Sequence, residues 1–159
     1  MSDLNNLIPA DSGWMLITAE GINDDGQITG GGNINGVEHA YLLTPTYKAF
    51  IQQPINSDGS SVFNGSRGVI PIKFTLAFNG ASTCTLPPAT VALNRIAGGT
   101  TGPVDESTYL SAADNGSIFR ISGCQYVYNL AASSLGSGTY RVDISINGVI
   151  AGSGVFALK

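Results

Sequence analysis

One histidine, eleven carboxylates and two cysteines are the side chains of this chain best equipped for chemistry. His39 would have to be the base of any Ser-His-Asp arrangement. It sits in a strand-like motif, far from an activated-serine signature such as Gly-x-Ser-x-Gly, and reads as a structural residue. A pair of carboxylates could hydrolyse a glycoside. Most of the acids, however, stand in turn contexts: Asp24-Asp25-Gly26, Asp58-Gly59 and Asp114-Asn115-Gly116. Turn formation accounts for them there. Asp105-Glu106 is an adjacent acidic pair outside such a turn, and it follows Gly98-Gly99-Thr100-Thr101-Gly102-Pro103, so it reads as a loop tip. The residues point away from an enzyme.

Calcium is the better chemical candidate. Asn23, Asp24, Asp25, Asp58, Asp105, Glu106 and Asp114 are loop oxygen donors of the kind a hard cation takes. No dense Asp-x-Asp-x-Asp loop is present, so solvated turns are the favoured reading and calcium the alternative; no other cofactor is expected. Cys84 and Cys124 form an even count in a charge-poor chain, which points to one disulfide. Closing a loop of that size stabilises a fold by about 4 kcal/mol on the chain-entropy view. Two buried free thiols are the alternative. Zinc is disfavoured, because Cys-x-x-Cys spacing and partner histidines are absent.

Three further groups have a chemical and a plain reading. Lys73 could form an intramolecular isopeptide bond, but such a bond needs an apolar core, and strand alternation sets Lys73 opposite Ile70, Ile72 and Phe74. It is expected at the solvent face or an edge. Tyr109, Tyr126, Tyr128 and Tyr140 could offer a flat sugar-binding platform, yet core packing explains most of them. Gly30-Gly31-Gly32 and Gly98-Gly99 lack the following helix or Lys-Ser/Thr pair of a phosphate-cradling loop.

The elements that must position these residues are strands. Runs rich in Val, Ile, Tyr, Phe and Thr alternate with Gly, Asn, Asp and Ser clusters. In residues 1–45, Trp14-Met15-Leu16-Ile17 is a strand, Ala19 to Gly30 is two short strands around a tight turn, Asn33 to Val37 is another turn, and Glu38 to Leu43 a further strand. Thr44-Pro45-Thr46 breaks the pattern. Beyond it, strands are predicted near 47–55, 60–64, 68–78, 89–96, 117–122, 125–131, 138–147 and 149–158. Short strands at this spacing over roughly 110 residues predict an all-β, immunoglobulin-like antiparallel sandwich with an N-terminal β-hairpin or strand extension. A cystine is expected to tie its two layers. Tyr126 to Leu135 is the best helical candidate and fits a strand and turn better. Ile70, Ile72, Phe74 and Leu76 share one face, as do Tyr140, Val142, Ile144 and Ile146. Asn147-Gly148 supplies a hairpin turn. Leu135-Gly136-Ser137-Gly138-Thr139-Tyr140 has the spacing of a tyrosine corner, in which the phenol bonds a nearby backbone group; the alternative is an ordinary strand tyrosine.

Charge narrows the partners. Only 11% of residues are charged and the net charge is −4, whereas soluble domains carry about 25% charged residues. A surface of Gly, Ser, Thr and Asn is common in extracellular β modules. The seven basic residues (Lys48, Lys73, Lys159, Arg67, Arg95, Arg120, Arg141) are scattered, which argues against nucleic acid and an anionic membrane surface. No apolar run is long enough to span a bilayer. The N-terminus lacks the charged and apolar regions of a signal peptide. Export information upstream of a trimmed start is the favoured explanation, an intracellular chain the other.

Two resemblances follow from these residues. Trp14-Met-Leu-Ile-Thr-Ala-Glu-Gly-Ile-Asn-Asp-Asp-Gly-Gln-Ile-Thr-Gly, with Asn35-Gly-Val-Glu-His-Ala-Tyr-Leu-Leu-Thr-Pro45, resembles one HAF repeat of bacterial extracellular proteins; His39-Ala40-Tyr41 stands for the His-Ala-Phe step. Gly68-Val-Ile-Pro71-Ile-Lys73-Phe74, Cys84-Thr-Leu-Pro-Pro-Ala-Thr90, Ala113-Asp-Asn-Gly-Ser117 and Gly138-Thr-Tyr-Arg-Val-Asp-Ile-Ser-Ile-Asn-Gly148 resemble the PxKF domain of bacterial surface and secreted proteins. The resemblance implies a HAF-like repeat over 1–45, a PxKF-type sandwich over 46–159, and an extracellular or cell-surface location. A lone repeat cannot bury a core. Residues 1–45 must therefore pack on the sandwich, belong to a longer chain, or add a strand to a neighbour's sheet edge in a head-to-tail fibre. The expected function is a secreted structural or adhesive module, with self-association, other surface proteins or polysaccharide as partners. The alternative is a carbohydrate- or ligand-binding accessory domain of a larger secreted enzyme.

Overall fold

The computed structural model describes residues 3–65, 68–99, 103–104 and 108–159. The chain divides into two compact units, Met1–Thr46 and Tyr47–Lys159.

The first unit is one small sheet. Asn35 and Gly36 both take positive φ (53° and 81°), the geometry of a two-residue hairpin turn whose twist matches its strands. This turn joins β3 (Ile28–Ile34) to β4 (Val37–Leu43). β4 occupies one side of β3, so β1 (Trp14–Leu16) and β2 (Gly21–Ile22) follow one another along the other side. Between them the N–H groups of Ile17 and Thr18 both donate to the Gly31 carbonyl at 3.0 Å. Two residues thus face one, which is a β-bulge. Ahead of β1, Leu4–Leu7 forms a single 3-10 turn capped by the Asp3 carboxylate.

The second unit is a sandwich. Its strands are β5 (Tyr47–Gln52), β6 (Val62–Phe63), β7 (Val69–Phe78), β8 (Ala81–Thr83), β9 (Ala89–Ala97), β10 (Arg120–Ser122), β11 (Gln125–Ala131), β12 (Gly138–Ile146) and β13 (Val149–Leu158). One sheet runs β10-β11-β7-β5, with β8 also on β7, and the other β6-β13-β12-β9. Lettering β5, β7, β9, β10, β11, β12 and β13 as A to G gives sheets A-B-E-D and C-F-G, the connectivity of an immunoglobulin constant-type domain. β6 then lies beside strand G.

Alternation explains the two central strands. In β7, Ile70, Ile72, Phe74 and Leu76 are buried in the core; on the other face Lys73 and Thr75 are half-buried, while Val69, Pro71 and Ala77 are covered. In β12, Tyr140, Val142, Ile144 and Ile146 point into the same core. Phe74 stacks on Tyr126 at 4.3 Å, Phe119 meets Phe74 edge-on at 4.9 Å, and Phe156 bridges Phe63 and Tyr140. Each ring removed from such a core costs about 3–5 kcal/mol. Gly152 lets β13 approach β5, because a Cβ there would lie 2.7 Å from the Ala49 carbonyl oxygen.

Several elements differ from the sequence reading. The sandwich is not wholly antiparallel: β6 runs parallel to β13, Val62 opposite Ala157 and Phe63 opposite Leu158. The 47–55 strand stops at Gln52, and Ile55 turns inward as a fully buried plug. The 117–122 strand is split between the sheets. Ser117 and Phe119 bond Val91 and Ala89 at the β9 edge, and directly after them β10 pairs with β11. Phe119 sits buried at the crossing. Tyr126 to Leu135, by contrast, is strand and turn as expected: β11 followed by a 3-10 turn, Ala132–Ser134.

Candidate functional site

Cys84 and Cys124 are joined, with Cα atoms 4.8 Å apart. The cystine does not tie the layers as expected. Cys84 follows β8 and Cys124 sits in the β10–β11 turn, and both strands belong to the same sheet. Nor are these cysteines buried thiols: both residues are exposed. The bond closes the open flank of β7, along which β8 and β11 lie one after the other.

Tyrosine chemistry is spent on the backbone. Tyr140, at the start of strand F, donates its phenol to the Gly136 carbonyl at 2.7 Å, the geometry of a tyrosine corner. Tyr128 donates to Gly116 O at 2.8 Å and Tyr126 to Pro87 O. Burial of the Tyr126 ring, with a lesser contribution from Tyr47, pushes its phenol up to about 12. Tyr109 alone of these four is substantially exposed, and its backbone bridges Val69. They form no flat platform: three rings are inside the sandwich. Lys73 lies off the core, paired across the strands with Val127 and Gln52. β7 is an inner strand, so Lys73 is on a sheet face and not at an edge.

The proposed oxygen donors are dispersed. Asp24 and Asp25 cap an exposed β2–β3 turn that Asn23 organises, its Oδ1 accepting from Gln27 N at 2.9 Å. Asp58 accepts from the Ser60 hydroxyl and N–H, which lower its carboxyl below the ordinary value. Asp114 was expected as a turn residue and does more. Its Oδ1 accepts from Arg120 Nε at 2.8 Å, while Oδ2 accepts from Arg120 Nη2 at 2.9 Å and from Asn129 N at 2.8 Å. The guanidinium bonds chiefly hold its carboxyl low. A cation already occupies the place a metal would take. Asp105 and Glu106 lie outside the described residues. Among the described residues, no three His, Cys, Asp or Glu side chains gather to hold a metal ion.

The first unit carries the most exposed chemistry. Gly30-Gly31-Gly32 lies within β3, not in a loop. A Cβ on Gly30 would fall 1.9 Å from Thr18 O and 2.7 Å from Tyr41 Oη. The absence of a side chain lets Tyr41 cross the central strand and donate to the Thr18 carbonyl at 2.7 Å. A Cβ on Gly32 would fall 2.8 Å from Met15 O, with the Trp14 ring just beyond it. Trp14 therefore lies over Gly32, edge-on to both His39 and Tyr41 at 6.4 Å. His39 is thus the exposed ring of an aromatic row whose other two members, Trp14 and Tyr41, are half-buried. Beside the row a groove of about 600 Å³ is lined by Leu4, Leu16, Ile22, Ile28 and Tyr41, with Asp3 and Glu20 among its polar residues. Such a groove can take an apolar group carrying a positive end.

Sequence reasoning missed how this sheet is finished. Asn5 uses its carboxamide as a false peptide: Oδ1 accepts from Leu16 N at 2.8 Å and Nδ2 donates to Leu16 O at 3.0 Å, closing the β1 edge. Nothing local announces that. Three glycines inside an alternating strand do signal a close backbone approach. No protein-family model matches the chain, and no curated protein sequence matches it. The fold by itself defines the class: an all-β protein with an immunoglobulin-like sandwich and a small preceding sheet.

Proposed function

We propose that this chain is a secreted structural or adhesive β module that works by associating with copies of itself, a HAF-like unit joined to a PxKF-like sandwich. One observation carries the reading. Among the described residues every buried apolar side chain lies in the second unit, and in the N-terminal sheet only Gly30 and Gly32 are buried, while Met15, Ile17, Ile22, Val37 and Leu42 of that sheet are all more than half exposed. A small sheet with no buried face is marginal in water; association would cover it. An exposed cystine supports an oxidising location, since thiols in the cytosol are kept reduced. The remaining surface is poor in charge and suits contact with neighbours more than solubility.

The test is sedimentation velocity over a wide concentration range, with electron microscopy of concentrated samples. Association that strengthens with concentration is expected. A monomer throughout overturns the reading. The groove favours a second reading, a ligand-binding accessory module. It predicts saturable binding of a cationic amphiphile or a glycan, lost on Glu20→Gln for the former, and a blank glycan array with and without calcium together with no amphiphile binding ends it.

A further inference from the structure

Among the described residues β4 pairs with β3 alone, and the Asn35-Gly36 turn sets which of its backbone groups face outward. In a two-residue hairpin the flanking residues, here Ile34 and Val37, exchange hydrogen bonds, and bonded pairs recur at every second residue. Val37, His39, Tyr41 and Leu43 therefore bond to β3. The N–H and C=O groups of Glu38, Ala40 and Leu42 point away from the sheet. Of the devices that normally blunt such an edge, β4 carries only the Glu38 charge: Val37–Leu43 contains no Lys and no Pro, and its register with β3 is unbroken. The opposite edge is treated differently, with Asn5 closing β1 at Leu16 and a bulge following it.

We propose that the β4 edge pairs antiparallel with the β4 edge of a second copy, about a two-fold axis at Ala40. This deepens the self-association reading and rests on it. Outward residues must meet outward residues, so the register changes only in steps that keep Glu38, Ala40 and Leu42 facing their counterparts. With the axis at Ala40, all three form pairs: Glu38 with Leu42 of the second copy, Ala40 with Ala40, and Leu42 with Glu38. That gives about six backbone hydrogen bonds, against about four with the axis at His39 or Tyr41.

Side chains fit the same register. His39 falls opposite Tyr41 of the second copy, which extends the Trp14–His39–Tyr41 row across the axis, and Val37 falls opposite Leu43. Charge fits too. Glu38 is the strand's one acidic residue, and it faces Leu42. The two Glu38 side chains stand four residues apart along the strand, roughly 14 Å, beyond the Debye length of about 8 Å at physiological salt. A two-fold contact of this kind closes on itself and yields a dimer, so a fibre would need a second contact elsewhere.

Two substitutions read the register directly. Ala40→Cys places two thiols at an antiparallel bonded pair, with Cα atoms about 5.5 Å apart, within disulfide reach. Glu38→Cys places them too far apart. Mild oxidation is expected to give a covalent dimer of Ala40→Cys and none of Glu38→Cys on a non-reducing gel. Equal crosslinking of both, or of neither, overturns the proposal. So does a disulfide adduct of the Ala40→Cys chain with a different polypeptide in native material without the homodimer.

Ala40→Pro removes an outward N–H that β3 does not use, which an edge strand tolerates. It is expected to weaken dimerisation roughly 100-fold or more by loss of the pairing bonds. Ala40→Lys, which sets like charges directly opposite, should do the same with the β3–β4 ladder intact, and an unchanged far-ultraviolet circular dichroism spectrum would verify the fold of either variant. A chain that associates yet ignores both substitutions overturns this edge and leaves self-association standing. A strictly monomeric chain overturns both.

Discussion

Replacing Cys84 and Cys124 with serine should lower the melting temperature of the sandwich steeply without changing its fold. The cystine links residues separated by 40 in sequence, and in the chain-entropy treatment a loop of that size stabilises the folded state by about 4 kcal/mol. The unit it belongs to, Tyr47–Lys159, has roughly 110 residues, for which the unfolding entropy is about 0.23 kcal/mol/K. Dividing the two predicts a fall of about 17 °C. The native strands need no tether, because β8 pairs with β7 and β10 with β11 through their own backbones. Circular dichroism of the variant at 20 °C should therefore overlay that of the parent. Because both cysteines are exposed, dithiothreitol should produce the same drop in the parent without denaturant. A fall of under about 5 °C, or a variant that loses its β spectrum at 20 °C, would refute the view that the bond acts by restricting the unfolded chain.

Tyr140→Phe removes the bond to Gly136 O while keeping the ring, and should cost the sandwich about 1 kcal/mol in a urea melt. Gly30→Ala forces a Cβ into the space held by Thr18 O and Tyr41. It should shift the fluorescence of Trp14, the sole tryptophan, and leave the thermal transition of residues 47–159 in place, whereas Gly98→Ala, with open space around it, should change neither. Asp114 has its folded carboxyl held below the ordinary 3.8, first by the Arg120 hydrogen bonds. Its stabilising contribution is present above that value and lost as pH falls through the lower folded one. Urea melts from pH 5 to pH 2 should show a shallower decline for Asp114→Asn than for the parent.

Much of the sandwich is legible in the chain because its two central strands have one face in a dry core. A period of two then writes itself into Ile70-Pro71-Ile72-Lys73-Phe74 and Tyr140-Arg141-Val142-Asp143-Ile144, and Asn147-Gly148 marks the turn that must follow. Tyr140 is legible for the same local reason: its partner Gly136 is only four residues upstream. With two cysteines in a charge-poor β chain, the pairing of Cys84 with Cys124 could also be anticipated.

Other features depend on residues that meet only after folding. Cys84 and Cys124 cannot by themselves tell whether a cystine crosses between sheets or seals one of them; the strand order decides that, and it puts both on the flank of β7. The switch of sheets between Ser117 and Arg120 leaves no periodic trace, since each half-strand is too short to alternate. Asp114 looks like any Asp-Asn-Gly turn until Arg120 and Asn129 close on it. Gly30 and Asn5 act through Thr18, Tyr41 and Leu16, from 11 to 23 residues away in the hydrogen bonds they permit or make. Alternation and turn chemistry are properties of neighbours along the chain, so sequence alone determined them; close approach, edge closure and sheet membership are properties of neighbours in space, and only the tertiary structure decided them.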